Sequence, residues 1–95
     1  MSERVVINEV SAPNFAPHVR FRFNKQREQW VVLAPERLLV PDEPSVEILK
    51  LLDGKATVAV IAGNLAERYN APREVIEKDV TALLQGLADK GFIVT

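Results

Sequence analysis

Pro72–Val94, PREVIEKDVTALLQGLADKGFIV, is the stretch around which the rest of this chain arranges itself. Val75, Ile76, Val80, Leu83, Leu84 and Leu87 recur there at helical spacing, with polar or charged residues between them. Pro72 suits a first helical turn, where its missing N–H would have no intrahelical partner and its φ is already helical. Gly91 suits the stop, because the residue just past a helix end often takes a positive φ. About 19 residues at ~1.5 Å each make a rod of about 28 Å, the width of a small domain. The upstream segments are predicted to lie against this third helix.

Two shorter helices precede it. Thr57 can cap the second, in which Val58, Ile61, Leu65 and Tyr69 fall at i, i+3, i+7 and i+11 on one stripe, and Asn70 can end it. Asp42 can cap the first, with Glu43 and Pro44 in its opening turn. Val46, Ile48, Leu49, Leu51 and Leu52 make that helix apolar on most sides, so deep packing is expected, and Asp53-Gly54 should close it. At the far end Phe92-Ile93-Val94 reads as a short strand or a core plug.

Before the helices, Val19-Arg20-Phe21-Arg22-Phe23 alternates apolar and basic, the pattern of a strand with one dry and one wet face. Trp30-Val31-Val32-Leu33, across the polar turn Asn24 to Gln29, reads as a more buried partner in an antiparallel hairpin. Arg37-Leu38-Leu39-Val40, between Pro35 and Pro41, is a short third strand at an edge. The expected fold class is α+β: a winged helix-turn-helix-like arrangement with an N-terminal three-stranded antiparallel sheet followed by three helices. Residues 18–95 form one domain. Residues 1–17, with Pro13, Pro17 and a single apolar run Val5-Val6-Ile7, read as a loosely held or exchanged arm. Val5 to Val10 are free to pair with another subunit, a low-cost route to a homodimer.

Ninety-five residues hold one core, and 47% hydrophobic with 26% charged residues is ordinary globular composition. No run approaches the ~20 apolar residues that cross a bilayer, so no membrane partner is expected. The N-terminus lacks the apolar region and cleavage site of a signal peptide, and there are no cysteines to form disulfides or thiolate sites, which fits a cytoplasmic protein.

The inventory for catalysis is thin. His18 is the single histidine and stands without a second ligand, so a structural or solvent role is expected and no metal or cofactor site. Ser2, Ser11 and Ser45 lack a nucleophile-elbow context, and Gly54, Gly63, Gly86 and Gly91 are scattered rather than gathered into a phosphate-cradling loop. The expectation is that the chain is not an enzyme. Helix-turn-helix geometry raises a winged-helix nucleic-acid-binding protein as the alternative function. From Arg73 to Lys90, however, three cations (Arg73, Lys78, Lys90) stand against Glu74, Glu77, Asp79 and Asp89, a net of −1, and phosphates would repel such a recognition helix. The basic residues lie instead at Arg20, Arg22, Lys25 and Arg27. A short apolar edge beside a long amphipathic helix suits an extended peptide, which would add a strand and place alternate side chains in pockets. Leu38, Leu39, Val40, Leu83 and Leu84 would equally fill a core, and the pattern alone weighs the two evenly.

From Arg20 through Val94 the chain resembles the PqqD family, the peptide chaperones of pyrroloquinoline quinone (PQQ) biosynthesis. The likeness rests on RFRFNKQREQWVVLAPERLLV, ILKLLDGKATVAVIAGNLAERY and DVTALLQGLADKGFI, in that order and spacing. Trp30 to Glu36, Leu52-Asp53-Gly54 and Asp79-Val80 are its most distinctive parts. Where the family often has Leu-Asn after the third strand, this chain has Pro41-Asp42; Asp42 keeps the capping oxygen, while Pro41 removes a backbone donor from the edge. The resemblance implies a recognition element that binds a ribosomally made precursor peptide. It further implies presentation of that peptide to a radical SAM enzyme, which joins a glutamate and a tyrosine of the peptide by a carbon–carbon bond. Carried onto this chain, the peptide would lie between the third strand (Arg37, Leu38, Leu39, Val40) and helix three, with Val75, Lys78, Asp79 and Leu83 as candidates on the helix. The resemblance implies a chain that works as a monomer on its enzyme, and a proline at Leu39 is expected to abolish strand addition.

Overall fold

A three-stranded sheet lies against three helices in the computed structural model, which describes residues 6–95. In chain order the elements are β1 (Asn14–Phe15), β2 (Arg20–Asn24), β3 (Gln29–Ala34), β4 (Arg37–Leu39), α1 (Glu43–Leu49), α2 (Val58–Tyr69), α3 (Arg73–Asp89) and β5 (Ile93–Val94). Strands β2, β3 and β4 pair antiparallel in that order, and β1 pairs with β5 in a separate two-stranded ladder. The expected order of three strands and three helices holds, with β1 and β5 added as short clasps. Phe92-Ile93-Val94 turns out to be both strand and plug, since Phe92 and Ile93 are buried.

Alternation fixes the two faces of the sheet. Phe21, Phe23, Trp30, Val32 and Leu39 share the face toward the helices, with Phe21 opposite Val32, Phe23 opposite Trp30 and Val32 opposite Leu39. Arg20 and Arg22 share the other face with Leu33 and Val31, their direct partners, and with Leu38. Val32 packs from the inner face into a core completed by Ile48 and Leu49 of α1, Val58, Ile61 and Leu65 of α2, and Val80, Leu84 and Leu87 of α3. Val80 and Leu84 are fully buried, and each contributes about 1.5–3 kcal/mol of transfer free energy.

The helix ends follow from local chemistry. Asp42 accepts from the Ser45 N–H (3.0 Å) at the start of α1, and Thr57 Oγ1 accepts from the Val60 N–H (3.3 Å) at the start of α2. Asn70 closes α2 in the left-handed conformation, and Gly91 takes φ +84° just after α3. Pro72 stands one position earlier than expected, at the N-cap of α3. Helix α1 is also shorter than expected. It ends at Leu49, and Leu51 and Leu52 donate to Ile48 and Leu49 in tighter i→i−3 bonds. Gly54 therefore serves the following loop rather than the helix end: its φ is +78°, its N–H donates to the Pro13 carbonyl, and a Cβ there would press on the Asn14 side chain.

Within the described residues, the segment read as a loose arm is tied to its own chain. The opening N–H groups of α2 have no acceptor inside the helix. Ser11 and Glu9 supply carbonyls to the N–H groups of Val58 (2.9 Å) and Ala59 (3.0 Å). Ile7 then enters the core and donates to Gln85 Oε1 on α3 at 2.8 Å. Met1 to Val5, including the start of the proposed pairing segment, lie outside the described residues.

Candidate functional site

Among the described residues strand β4 has one ladder partner, β3, so its other side is a sheet edge. Pro35-Glu36 forms the two-residue loop between them, with Glu36 held at φ +64°. The closing pair Ala34–Arg37 and the pair Val32–Leu39 exchange main-chain hydrogen bonds, which makes Leu33–Leu38 the non-bonded pair between them. The N–H and C=O of Leu38 therefore point away from β3, and Val40 follows one residue beyond the strand. No other element hydrogen-bonds to the Leu38 or Val40 main chain among the described residues. Pro41 ends the row because it has no N–H.

Helix α3 runs alongside this edge in the opposite direction. The Arg37 guanidinium donates to the Lys90 carbonyl (2.8 Å) at the helix C-terminus, and Pro41 reaches the wall of a cleft lined by Ile76, Asp79 and Val80 nearer its start. The cleft has a volume of about 830 Å³ and is otherwise walled by Phe23 and Trp30 of the hairpin, by α1, and by Leu65 and Tyr69 of α2. Its aromatic wall is rigidly stacked. Trp30 lies 4.7 Å from Phe21 and 5.6 Å edge-on to Phe23, with the Lys50 ammonium 5.3 Å over its ring. Glu47, also on the wall, is held below the usual glutamate range by Lys50 (3.1 Å) and then Arg68 (3.0 Å). Of the expected peptide-binding residues only Asp79 lines this cleft, and Pro41 joins it to the β4 edge. An apolar floor with a charged rim, next to an open edge, suits a guest backbone whose alternate side chains turn inward. No group of three His, Cys, Asp or Glu side chains placed to hold a metal occurs among the described residues.

Comparison with known proteins places the same residues in a family. The family described as coenzyme PQQ synthesis protein D (PqqD) matches residues 29–93, from the cleft wall at β3 to the last strand. The chain belongs to the PqqD family. It is 52% identical, over 95% of its length and 88% of the relative's, to a PqqA binding protein of Rhodopseudomonas palustris strain TIE-1. It is 39% identical, over 94% of its length, to 24% of a bifunctional coenzyme PQQ synthesis protein C/D of Methylorubrum extorquens. Among solved structures it resembles the PqqD truncation of Methylobacterium extorquens PqqCD, described as a functional, stand-alone recognition element for ribosomally synthesized and post-translationally modified peptides. That likeness has a TM-score of 0.80 at 38% identity, covering 94% of this chain and 95% of the other. PqqD from Xanthomonas campestris gives a TM-score of 0.57 at 36% identity, covering 88% and 93%.

The most distinctive PqqD residues divide between two jobs. Trp30, Asp79 and Val80, far apart in the chain, meet at one cleft. Asp53 and Gly54 build the loop into α2, where Asp53 Oδ1 accepts from Lys55 (2.8 Å) and Ala56 (2.7 Å). Of the candidate peptide residues, Leu39 and Leu83 are half-buried against the core, whereas Leu38 and Val40 are 63% and 50% exposed. Leu84, named with Leu38, Leu39, Val40 and Leu83 as an equal candidate for the core, is wholly core. Leu38 turns its side chain to the outer face, so what it offers the edge is main chain. At about 100° per residue, Ile76, Asp79 and Leu83 share the shoulder of α3 beside the cleft, with Val75 outward of them. Lys78 falls on the other shoulder, beside Glu74, Glu77, Thr81 and Gln85. Phe23, Trp30, Tyr69 and Ile76 were absent from the expected site. The Phe23–Trp30 pairing is recoverable from the hairpin register, and Tyr69 from the α2 stripe it shares with Leu65, but neither pattern says that these elements meet at one cleft.

Proposed function

We propose that this chain captures a ribosomally made precursor peptide of the PqqA type and presents it to the radical SAM enzyme of PQQ biosynthesis, without catalysing a step itself. The observation that carries this is the unpaired main chain of Leu38 and Val40 beside the cleft, in a chain whose relatives are PqqA binding proteins. The guest adds as a fourth strand to β4, antiparallel or parallel, and sets alternate side chains between Leu39 and the Ile76–Asp79–Leu83 shoulder. Arg37, tied to Lys90, holds one end of the passage. Each main-chain hydrogen bond contributes about 0.5–1.5 kcal/mol net, so affinity comes mostly from what fills the aromatic cleft. The setting is the cytoplasm, where ribosomes release the peptide. The working form is a monomer, because residues 6–17 fold back on their own chain; light scattering with and without residues 1–17 checks this.

Titrating labelled protein with the precursor peptide tests the site directly. Backbone amides of Leu38, Leu39, Val40, Ile76, Asp79 and Leu83 are expected to shift, while those of Glu74 and Gln85 stay in place. Shifts confined to the Gln85 shoulder, or none at saturating peptide, would overturn the assignment.

A further inference from the structure

The outer face of the sheet, on which Val31 is buried but Leu38 is exposed, is a feature that peptide capture leaves unused. Its rows run Arg20–Leu33–Leu38 and Arg22–Val31 across the strands, with Val40 one residue beyond the ladder. Leu38 and Val40 are both largely exposed, and they are neighbours rather than scattered singles. Arg20 and Arg22 are exposed and have no ion-pair partner among the described residues. The charge of the whole chain is segregated around them. Residues 20–27 hold four cations (Arg20, Arg22, Lys25, Arg27) and no acid, whereas the other eight lysines and arginines stand against all thirteen acidic residues, a net of −5 outside that segment.

We propose that this face docks a protein partner that presents acidic side chains beside an apolar strip, and that the partner is the enzyme acting on the captured peptide. The inference rests on the peptide-capture function proposed above. A guest strand added to β4 continues the same sheet, so every second guest side chain falls on this outer face beside Leu38 and Val40. The partner would then meet a surface completed by the cargo, and would hold the loaded form more tightly than the empty one. Complementary charge along β2 sets encounter and orientation, while the apolar strip at β4 holds the complex. Nucleic acid fits less well, because phosphates have no use for the exposed Leu38 and Val40 across the sheet from the arginines.

The double variant Arg20→Glu/Arg22→Glu in the full chain tests the face. Peptide affinity, read by calorimetry, is expected to stay within about twofold, while affinity of the peptide-loaded protein for the radical SAM enzyme falls at least about tenfold. Arg20→Lys/Arg22→Lys, which keeps the charge, is expected to retain most of that affinity, and unloaded wild-type protein is expected to bind the enzyme more weakly than loaded protein. Peptide binding with enzyme affinity unchanged by the reversal overturns the docking face and leaves peptide capture standing. Wild-type protein that fails to bind the peptide overturns both. Loss of duplex binding at physiological salt, or loss of self-association, in place of enzyme binding would assign the face to nucleic acid or to a second copy and sink the proposal.

Discussion

The two shoulders of α3 belong to one helix and end up in opposite states. On the Gln85 shoulder the chain covers itself: Ile7 enters the core and its N–H reaches the Gln85 carboxamide. On the Asp79 shoulder, none of the described residues crosses the cleft toward β4. The difference traces to where unpaired main-chain groups had to be satisfied during folding. In the first turn of α2 the N–H groups of Val58 and Ala59 find acceptors in Ser11 and Glu9, which draws the N-terminal segment to that side. The edge of β4 is wet when empty, so water can satisfy it until a better partner arrives. A fold can thus keep a strand edge available by giving its own loose segment somewhere else to bind.

If the Gln85 shoulder is structural and the Asp79 shoulder is for a guest, substitutions on the two should separate stability from affinity. Ile7→Ala, at 4% exposure, is expected to cost about 2–4 kcal/mol in urea unfolding while peptide affinity, measured below the transition, stays unchanged. A loss of affinity with little loss of stability would place the arm in the guest's site. Leu38→Pro should do the reverse. It removes an N–H that points away from β3 and is expected to weaken peptide binding by about 1–3 kcal/mol, with stability nearly intact. Leu39→Pro is the weaker test, because the Leu39 N–H already bonds Val32 and its loss would damage the hairpin itself. Leu38→Pro with unchanged peptide affinity by calorimetry would eliminate strand addition at this edge.

Much of this contrast was readable beforehand, and the part that was not has physical causes. Side chains that act locally announce themselves: Asp42 and Thr57 as caps, Asn70 and Gly91 as stops, Arg37–Leu39 as a short edge between prolines. The apolar repeat in α3 names Val80, Leu84 and Leu87 as its buried centre but does not say which shoulder meets the sheet. That is why Lys78 and Asp79, adjacent in the chain, were grouped as one site and separate on the helix. The docking of residues 9–11 was illegible because it uses carbonyls, which every residue carries. The two-residue strands β1 and β5 are too short to show a period.

Acid provides the gentlest way to press on both sides at once. Three carboxylates sit below their ordinary values: Asp42 through hydrogen bonds from Ser45, Glu47 through Lys50 and then Arg68, and Asp53 through the N–H groups of Ala56 and then Lys55. A depressed value in the folded state means that the unfolded chain takes up protons first as pH falls. Their contribution is therefore complete above the ordinary values of 3.8 for aspartate and 4.5 for glutamate, and is lost as pH drops through the lower folded values. Asp42 and Glu47 brace the α1 wall of the cleft, whereas Asp53 holds the loop whose Gly54 bonds the N-terminal segment at Pro13. Stability from pH 7 to about 5 should be flat and should decline below about 4. Asp42→Asn/Asp53→Asn keeps an oxygen for each turn but removes two of the three titrations, so its decline should be shallower than that of the wild type. If unfolding midpoints of the two proteins fall in parallel between pH 5 and 3, these carboxylates are not what acid loosens.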